Sequence, residues 1–200
     1  MKVGFMNRDQ YLQAVQSQLE KNIFYHSLAL EACMGGLYDY LSPLVKGGCP
    51  EDRGIWTLAG LIHDIDYSEP YKNDHPNKTA EVLAKYNLKA PDKVLNIIKA
   101  HSPQTSGVYP TTAGQWAIFC ADSLTGLITA TALVIPSKKL AEVKLASVMK
   151  RFLKEPRFAA GTRREEIKMC EKPEGLNIPL EKFIEICLTS MQFISDQIGL

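Results

Sequence analysis

Apolar residues recur along this chain at intervals of three and four positions, while alternating strand patterns are nearly absent. Such spacing places apolar side chains on one face of a helix. It predicts helices at residues 9–19, 22–41, 51–62, 77–86, 91–101, 112–134, 137–153 and 179–198, with shorter pieces between the last two. We therefore expect an all-α fold, a bundle of about eight to ten helices.

Proline, glycine and capping residues mark where these helices should begin and end. Asp9 and Ser137 carry side chains that can accept a hydrogen bond from a first helical turn, so each is predicted as an N-cap. Pro76 suits the first turn of the helix that follows it, and Pro103 is expected to stop the helix before it. The Gly-Gly-Cys-Pro run at 47–50 predicts a loop between the second and third helices.

The composition is that of an ordinary globular protein. Of the 200 residues, 46% are hydrophobic and 22% are charged, which excludes a disordered chain. The five cysteines are widely spaced and lack a Cys-x-x-Cys pair, so neither a disulfide framework nor a cysteine zinc site is expected. Apolar stretches are interrupted before the roughly 20 residues that span a bilayer, and the N-terminus lacks the features of a signal peptide. These observations predict a cytoplasmic protein with buried thiols and no membrane partner.

Charge is balanced over the whole chain but not along it. The net charge of +1 argues against a protein that binds nucleic acid through bulk charge. The basic segment, residues 137–172, nevertheless carries eleven Lys and Arg against five Glu. Within it, Lys150 and Arg151 are candidates for contacting phosphate groups of a ligand. The alternative, which we favour for most of the segment, is a solvated helix face.

Six side chains are candidate metal ligands: His26, His63, Asp64, His75, His101 and Asp122. Any one of these histidines, taken alone, would more often have a structural role. His63 and Asp64 end an apolar helix, and Asp122 interrupts another apolar run, where a carboxylate is costly unless a cation compensates it. The donor set does not distinguish Fe, Mn, Zn, Co, Ni and Mg, so we expect one or two divalent metals of unspecified identity.

Three further residues lie in the polar loop and helix that follow Asp64. Asp66 and Asp74 are candidates to bind or polarise a water molecule, and the alternative is a pair of solvated loop acids. Lys78 lies one helical turn beyond His75 and is a candidate for contacting a phosphate, although a surface lysine is the plainer interpretation.

The ordered set His26, His63-Asp64 and Asp122, with the segment Leu-Ala-Gly-Leu-Ile-His-Asp-Ile-Asp-Tyr, resembles the HD superfamily of metal-dependent phosphohydrolases. His75-Pro76 and His101 resemble the additional ligands of its HDIG branch, whose members often hold two metals. Asp66 stands where that branch has glycine, and no GYP motif follows. The resemblance therefore does not extend to the hydrolases of cyclic di-GMP.

The resemblance implies a single domain over 1–200, with a metal-binding core at 20–130 and a helical extension at 137–200 that contains the basic segment. It implies a first metal held by four residues, His26, His63, Asp64 and Asp122. His75 and His101 would complete a second metal site, with Asp64 bridging the two ions.

The implied activity is hydrolysis of a small phosphomonoester or a nucleotide by a metal-activated water. Asp64 and Asp66 are the catalytic candidates, and Lys78, Lys150 and Arg151 are the candidates for substrate contact. A di-iron oxygenase on the same scaffold and a non-catalytic nucleotide-binding module are the alternatives. We expect a monomer or homodimer, and no nucleic-acid partner.

Overall fold

The computed structural model describes residues 7–44, 49 and 51–200. Within these residues the chain forms ten α-helices and no β-strand, which confirms the predicted all-α fold. The helices are α1 (Arg8–Gln18), α2 (Lys21–Leu41), α3 (Arg53–Ile62), α4 (Thr79–Lys85), α5 (Asp92–Lys99), α6 (Pro103–Ser106), α7 (Ala113–Val134), α8 (Leu145–Lys154), α9 (Arg164–Lys168) and α10 (Leu180–Phe193). Short 3-10 helices lie at Lys72–Asp74, Leu140–Glu142, Met169–Glu171 and Ser195–Ile198. Most of the loop predicted at 47–50 lies outside the described residues.

Side-chain caps begin three of these helices. Asn7 rather than Asp9 caps α1, because the Asn7 side-chain oxygen accepts the Asp9 backbone N–H at 3.1 Å. Asp52 caps α3 by accepting a backbone N–H of its first turn at 3.0 Å. Thr112 caps α7 and forms a reciprocal capping box with Gln115. This cap lies at the predicted start of the helix, residue 112. The starts of these three helices are therefore fixed by polar side chains in the local sequence.

The predicted role of Pro76 is wrong, whereas the helix before Pro103 does end ahead of that proline. Pro76 does not lie in a first helical turn, because α4 begins only at Thr79. The backbone N–H of Lys78, the residue that precedes α4, donates to the Asp66 carboxylate at 2.8 Å. Pro103 occupies the first turn of α6, where its missing N–H costs nothing, after α5 has already ended.

The prediction of a helix over 137–153 is also wrong for the first half of that range. Lys138 has a positive φ of 54°, and α8 begins only at residue 145. The buried residues Leu140 and Val143 present their carbonyl oxygens to the Gln192 side chain, which donates to them at 3.1 and 2.9 Å. Because α10 satisfies these carbonyls, the backbone does not need a continuous helix here. Ser137 consequently caps no α-helix.

Helix α2 lies at the centre of the fold and packs against α3, α7 and α10. Helix α5 packs across α3 and α7, while α8 and α9 cover α7. Leu30, Trp56 and Phe183, from α2, α3 and α10 respectively, are fully buried in the shared hydrophobic core. This packing brings α2, α7 and the C-terminal ends of α3 and α5 towards one region, where the candidate ligands lie.

Helix α7 is long and apolar enough, by length and composition, to cross a membrane. The sequence pattern had predicted no such stretch. However, 67% of its most apolar 18-residue stretch is buried inside the fold, as is typical of the core helix of a globular protein.

The described cysteines are all free. Cys33, Cys120, Cys170 and Cys187 are buried, and Cys49 is half-buried. Burial raises the pKa of Cys170 to about 12 and raises the pKa of Cys120 and Cys187 well above the ordinary thiol value. The thiols of Cys120, Cys170 and Cys187 are therefore protonated and act as small apolar side chains.

Gly60 allows α3 to approach α2 closely. A Cβ at Gly60 would lie 2.8 Å from the Leu30 carbonyl oxygen and 2.8 Å from the Glu31 Cα. We expect Gly60→Ala to lower the free energy of unfolding by about 1–3 kcal/mol, because backbone must move to relieve the overlap. Gly126→Ala on α7 is the control, since its Cβ meets nothing within 4 Å. Urea denaturation should show Gly126→Ala to be neutral or stabilising, and equal effects of the two substitutions would contradict the close helix approach.

Candidate metal centre

The first cluster of candidate ligands consists of His26, His63, Asp64 and Asp122. Helix α2 supplies His26, the end of α3 supplies His63 and Asp64, and α7 supplies Asp122. The Nε2 atom of His26 lies 3.1 Å from His63 Nε2 and 2.9 Å from Asp122 Oδ1. Asp64 Oδ2 lies 3.2 Å from His63 Nε2 and 3.6 Å from His26 Nε2. The ligand atoms of His26, His63 and Asp64 are close enough to share one metal ion, and Asp122 lies beside them.

The second cluster consists of Asp64, His75 and His101. The Nε2 atom of His75 lies 2.8 Å from His101 Nε2 and 3.2 Å from Asp64 Oδ1. His101 Nε2 lies 3.9 Å from the same oxygen. Asp64 therefore presents Oδ2 to the first cluster and Oδ1 to the second, which is the arrangement that a bridging carboxylate requires.

Backbone carbonyl groups orient two of the four imidazole rings. His63 Nδ1 lies 2.9 Å from the Gly60 carbonyl oxygen, and His101 Nδ1 lies 2.5 Å from the Ile98 carbonyl oxygen. A carbonyl oxygen only accepts, so each Nδ1 carries a proton and donates it. In the neutral form of each ring, the Nε2 lone pair consequently points into the site.

Side chains orient the other two rings in the same sense. His75 Nδ1 donates to Asp66 Oδ1 at 2.7 Å. The Thr125 hydroxyl donates to the Asp122 carbonyl oxygen at 2.7 Å, and its oxygen lies 2.8 Å from His26 Nδ1. Because that hydroxyl proton is already used, the Thr125 oxygen accepts from His26. All four rings thus donate outward through Nδ1, as metal-binding histidines typically do.

Four Nε2 lone pairs therefore meet in two pairs, at 3.1 and 2.8 Å. Lone pairs at such distances repel one another unless a proton or a cation lies between them. Metal–ligand distances of about 2.0–2.2 Å place adjacent ligand atoms about 3 Å apart, which matches the separations in both clusters. The side chains present therefore fit one or two divalent metal ions.

The buried charges shift the pKa values of the ligands. Burial, assisted by the nearby His63, lowers the pKa of His101 to about 4, so this ring is neutral at pH 7. Burial alone would raise the pKa of Asp64 and of Asp122. The neighbouring imidazoles, chiefly His63 for Asp64 and His26 for Asp122, more than offset this effect and hold both carboxyl pKa values below their usual range. At neutral pH His101 is thus a neutral donor, while Asp64 and Asp122 are anionic.

Asp66 lies behind His75 instead of facing the space between the clusters. It is fully buried, and its two oxygens accept from His75 Nδ1 and from the Lys78 backbone N–H. This placement fits a residue that orients His75, and does not fit the prediction that Asp66 acts directly on a water or a substrate. The Lys78 ammonium group, a predicted phosphate contact, pairs with Glu81 at 3.3 Å.

The two candidates for substrate contact in the basic segment are engaged elsewhere. Lys150 Nζ pairs with Glu155 at 3.2 Å. Arg151 donates to the Ser147 carbonyl oxygen at 3.1 Å and lies over the Phe158 ring at 5.2 Å. Within the part of the chain that the structure describes, neither side chain contacts a candidate ligand.

A different residue of the basic segment does reach the site. Arg163 Nη2 donates to Asp122 Oδ2 at 2.6 Å, and Arg163 Nε donates to Glu166 at 2.6 Å. Its backbone N–H donates to the Ser123 hydroxyl on α7 at 3.2 Å. Arg163 immediately precedes the short helix α9, so no helical period distinguishes it from the other basic residues of the segment.

A helical fold that gathers four imidazoles and two carboxylates is typical of proteins that bind divalent metals. The HD domain family model matches residues 23–127, which is more than half of the chain and includes all six candidate ligands. The chain therefore belongs to the HD domain family, and the resemblance to the HD superfamily seen in the sequence is confirmed. Members of this family are mostly metal-dependent phosphohydrolases, which supports a hydrolase in general terms. Searches of curated proteins and of solved structures found no match.

Proposed function

We propose that this protein is a metal-dependent phosphohydrolase that cleaves a small phosphomonoester, with nucleotides as the first substrates to test. The observation that carries the proposal is the convergence of four outward-anchored imidazoles on the two oxygens of Asp64. Membership of the HD domain family adds support, since its members are mostly hydrolases of this kind.

The two clusters divide the proposed metal-binding role between them. His26, His63, Asp64 and Asp122 would hold one ion, while His75 and His101 would hold another with Asp64 in common. Bound divalent ions supply a water of lowered pKa and positive charge for the phosphoryl oxygens.

The surrounding residues hold the imidazole rings of these ligands in a fixed orientation. Asp66 holds the Nδ1 proton of His75, and Thr125 accepts the Nδ1 proton of His26. Both contacts keep Nε2 directed into the site, where its lone pair can bind a metal. The His26 side chain is 24% exposed, whereas His63 is fully buried, so substrate is expected to approach from the His26 side.

Metal analysis followed by a substrate panel tests the proposal. Protein purified without added metal or chelator should contain one or two divalent ions per chain by mass spectrometry. It should release phosphate from at least one member of a phosphomonoester panel that includes the 5′-mononucleotides. A chelator should abolish this release, and the metal should restore it. Stoichiometric metal with every ester left intact would contradict the proposal, and nucleotide binding without turnover would favour the non-catalytic alternative.

The two clusters joined by Asp64 favour one second candidate, a di-iron oxygenase. Six imidazole and carboxylate ligands suit a pair of irons as well as they suit hydrolytic metals. Two irons per chain and oxygen uptake that depends on an added organic substrate would support this candidate. A strictly mononuclear site would eliminate it.

A further inference from the structure

We propose that Arg163 is the residue that binds the phosphoryl group of the substrate, in a pocket beside the first cluster. This inference rests on the proposed function for the nature of the ligand, a phosphate monoester. It assigns the recognition of phosphate to one guanidinium group, and it replaces Lys78, Lys150 and Arg151 in that role.

A pocket of about 350 Å³ opens between α7 and the chain that precedes α9. His26, Asp122 and Arg163 line this pocket together, so candidate ligands and a cation face the same space. Much of the remaining wall consists of small residues. A Cβ built on Gly126 or on Gly161 would meet nothing within 4 Å, which leaves room for a ligand beside the arginine.

Part of the Arg163 guanidinium group is available to donate hydrogen bonds to a ligand. A guanidinium group carries five N–H donors in a planar fork that matches two oxygens of a phosphate. One of these N–H groups donates to Asp122, and a second donates to Glu166. Among the described residues, no hydrogen bond uses the remaining three, and the Arg163 side chain is 46% exposed. The group is therefore anchored along one side and available to a ligand on the other.

The adjacent Arg164 explains why Arg163 is held in place. The Arg164 guanidinium donates to the carbonyl oxygens of Phe152, Glu155 and Phe158, at 3.1, 3.3 and 2.7 Å. These bonds fasten the turn after α8 to the end of that helix. The turn is also fastened to α7, because the Arg163 backbone N–H donates to Ser123. Arg163 is thus presented by a braced segment, and little ordering is needed when a ligand binds.

Binding of inorganic phosphate to the metal-loaded protein tests the proposal without requiring turnover. We expect Arg163→Gln to raise the phosphate dissociation constant by about 10- to 100-fold, the loss typical of charge-assisted hydrogen bonds. Arg163→Lys should give an intermediate value, since it keeps the charge but not the planar fork. Arg157→Gln is the matched control, because Arg157 is an exposed residue of the same segment. Metal content and thermal unfolding are measured on each variant.

The outcomes separate this inference from the proposed function. Phosphate binding that depends on Arg163, in a protein that hydrolyses no ester, would support the inference while the proposed function fails. Hydrolysis with an unchanged phosphate constant in Arg163→Gln would overturn the inference while the proposed function stands. Absence of phosphate binding to the unsubstituted metal-loaded protein, or a loss fully matched by loss of metal, would also overturn the inference.

Discussion

Substituting Asp64 by Asn should weaken metal binding in both clusters and reduce phosphate release to background. The two oxygens of Asp64 each lie 3.2 Å from an imidazole Nε2, one on His63 and one on His75. An asparagine side chain has the same size, but it is neutral and its nitrogen donates, so it can serve at most one cluster. We expect metal affinity to fall by more than about 100-fold, beyond the loss typical of an outer hydrogen-bond partner. Equilibrium dialysis with metal analysis measures this loss.

The control for Asp64→Asn is the same chemical change on the surface of α2. Asp39 pairs with Arg53 at 2.8 Å, and more than half of each side chain is exposed. Asp39→Asn should leave metal content and phosphate release unchanged, because exposed ion pairs contribute little. Circular dichroism establishes that both variants are folded. A folded Asp64→Asn protein that keeps both ions would contradict a bridging role for Asp64.

The helices that form the centre of the fold could be predicted closely from the sequence. Helices α2, α3 and α7 begin and end near their predicted positions, because each combines a sustained apolar pattern with a clear boundary residue. The region before α8 could not be predicted in this way. There the backbone follows hydrogen bonds from Gln192, which lies far away in the sequence and carries no local signal at Leu140 or Val143.

The candidate ligands could also be chosen from the sequence, because an Asp or His within an apolar helix is costly without compensation. The structure brings all six together, while their role in binding metal stays a prediction. The groups that orient these ligands could not be identified from the sequence as readily. The partners of His63 and His101 are backbone carbonyls, which every residue possesses. The positions of Asp66 and Arg163 depend on tertiary contacts, so their sequence neighbourhoods do not reveal them.

Substituting His75 by Ala should release one ion and leave the other in place. His75 belongs to the second cluster alone, where its Nε2 atom faces His101 and Asp64. The first cluster keeps His26 and His63, whose rings are anchored through Thr125 and the Gly60 carbonyl group instead. Mass spectrometry should therefore find the metal content of His75→Ala reduced by one ion per chain, in a protein that remains folded.

Asp66→Ala provides a graded version of the same experiment. It removes the acceptor of the His75 Nδ1 proton but keeps the ring, so affinity for the second ion should fall by about 10- to 100-fold without complete loss. The reciprocal variant His26→Ala should weaken the first site, since His26 takes no part in the second cluster.

If the unsubstituted protein instead holds a single ion that His75→Ala does not disturb, the site is mononuclear. His26, His63, Asp64 and Asp122 would then carry the chemistry, hydrolysis would remain, and the oxygenase would be eliminated.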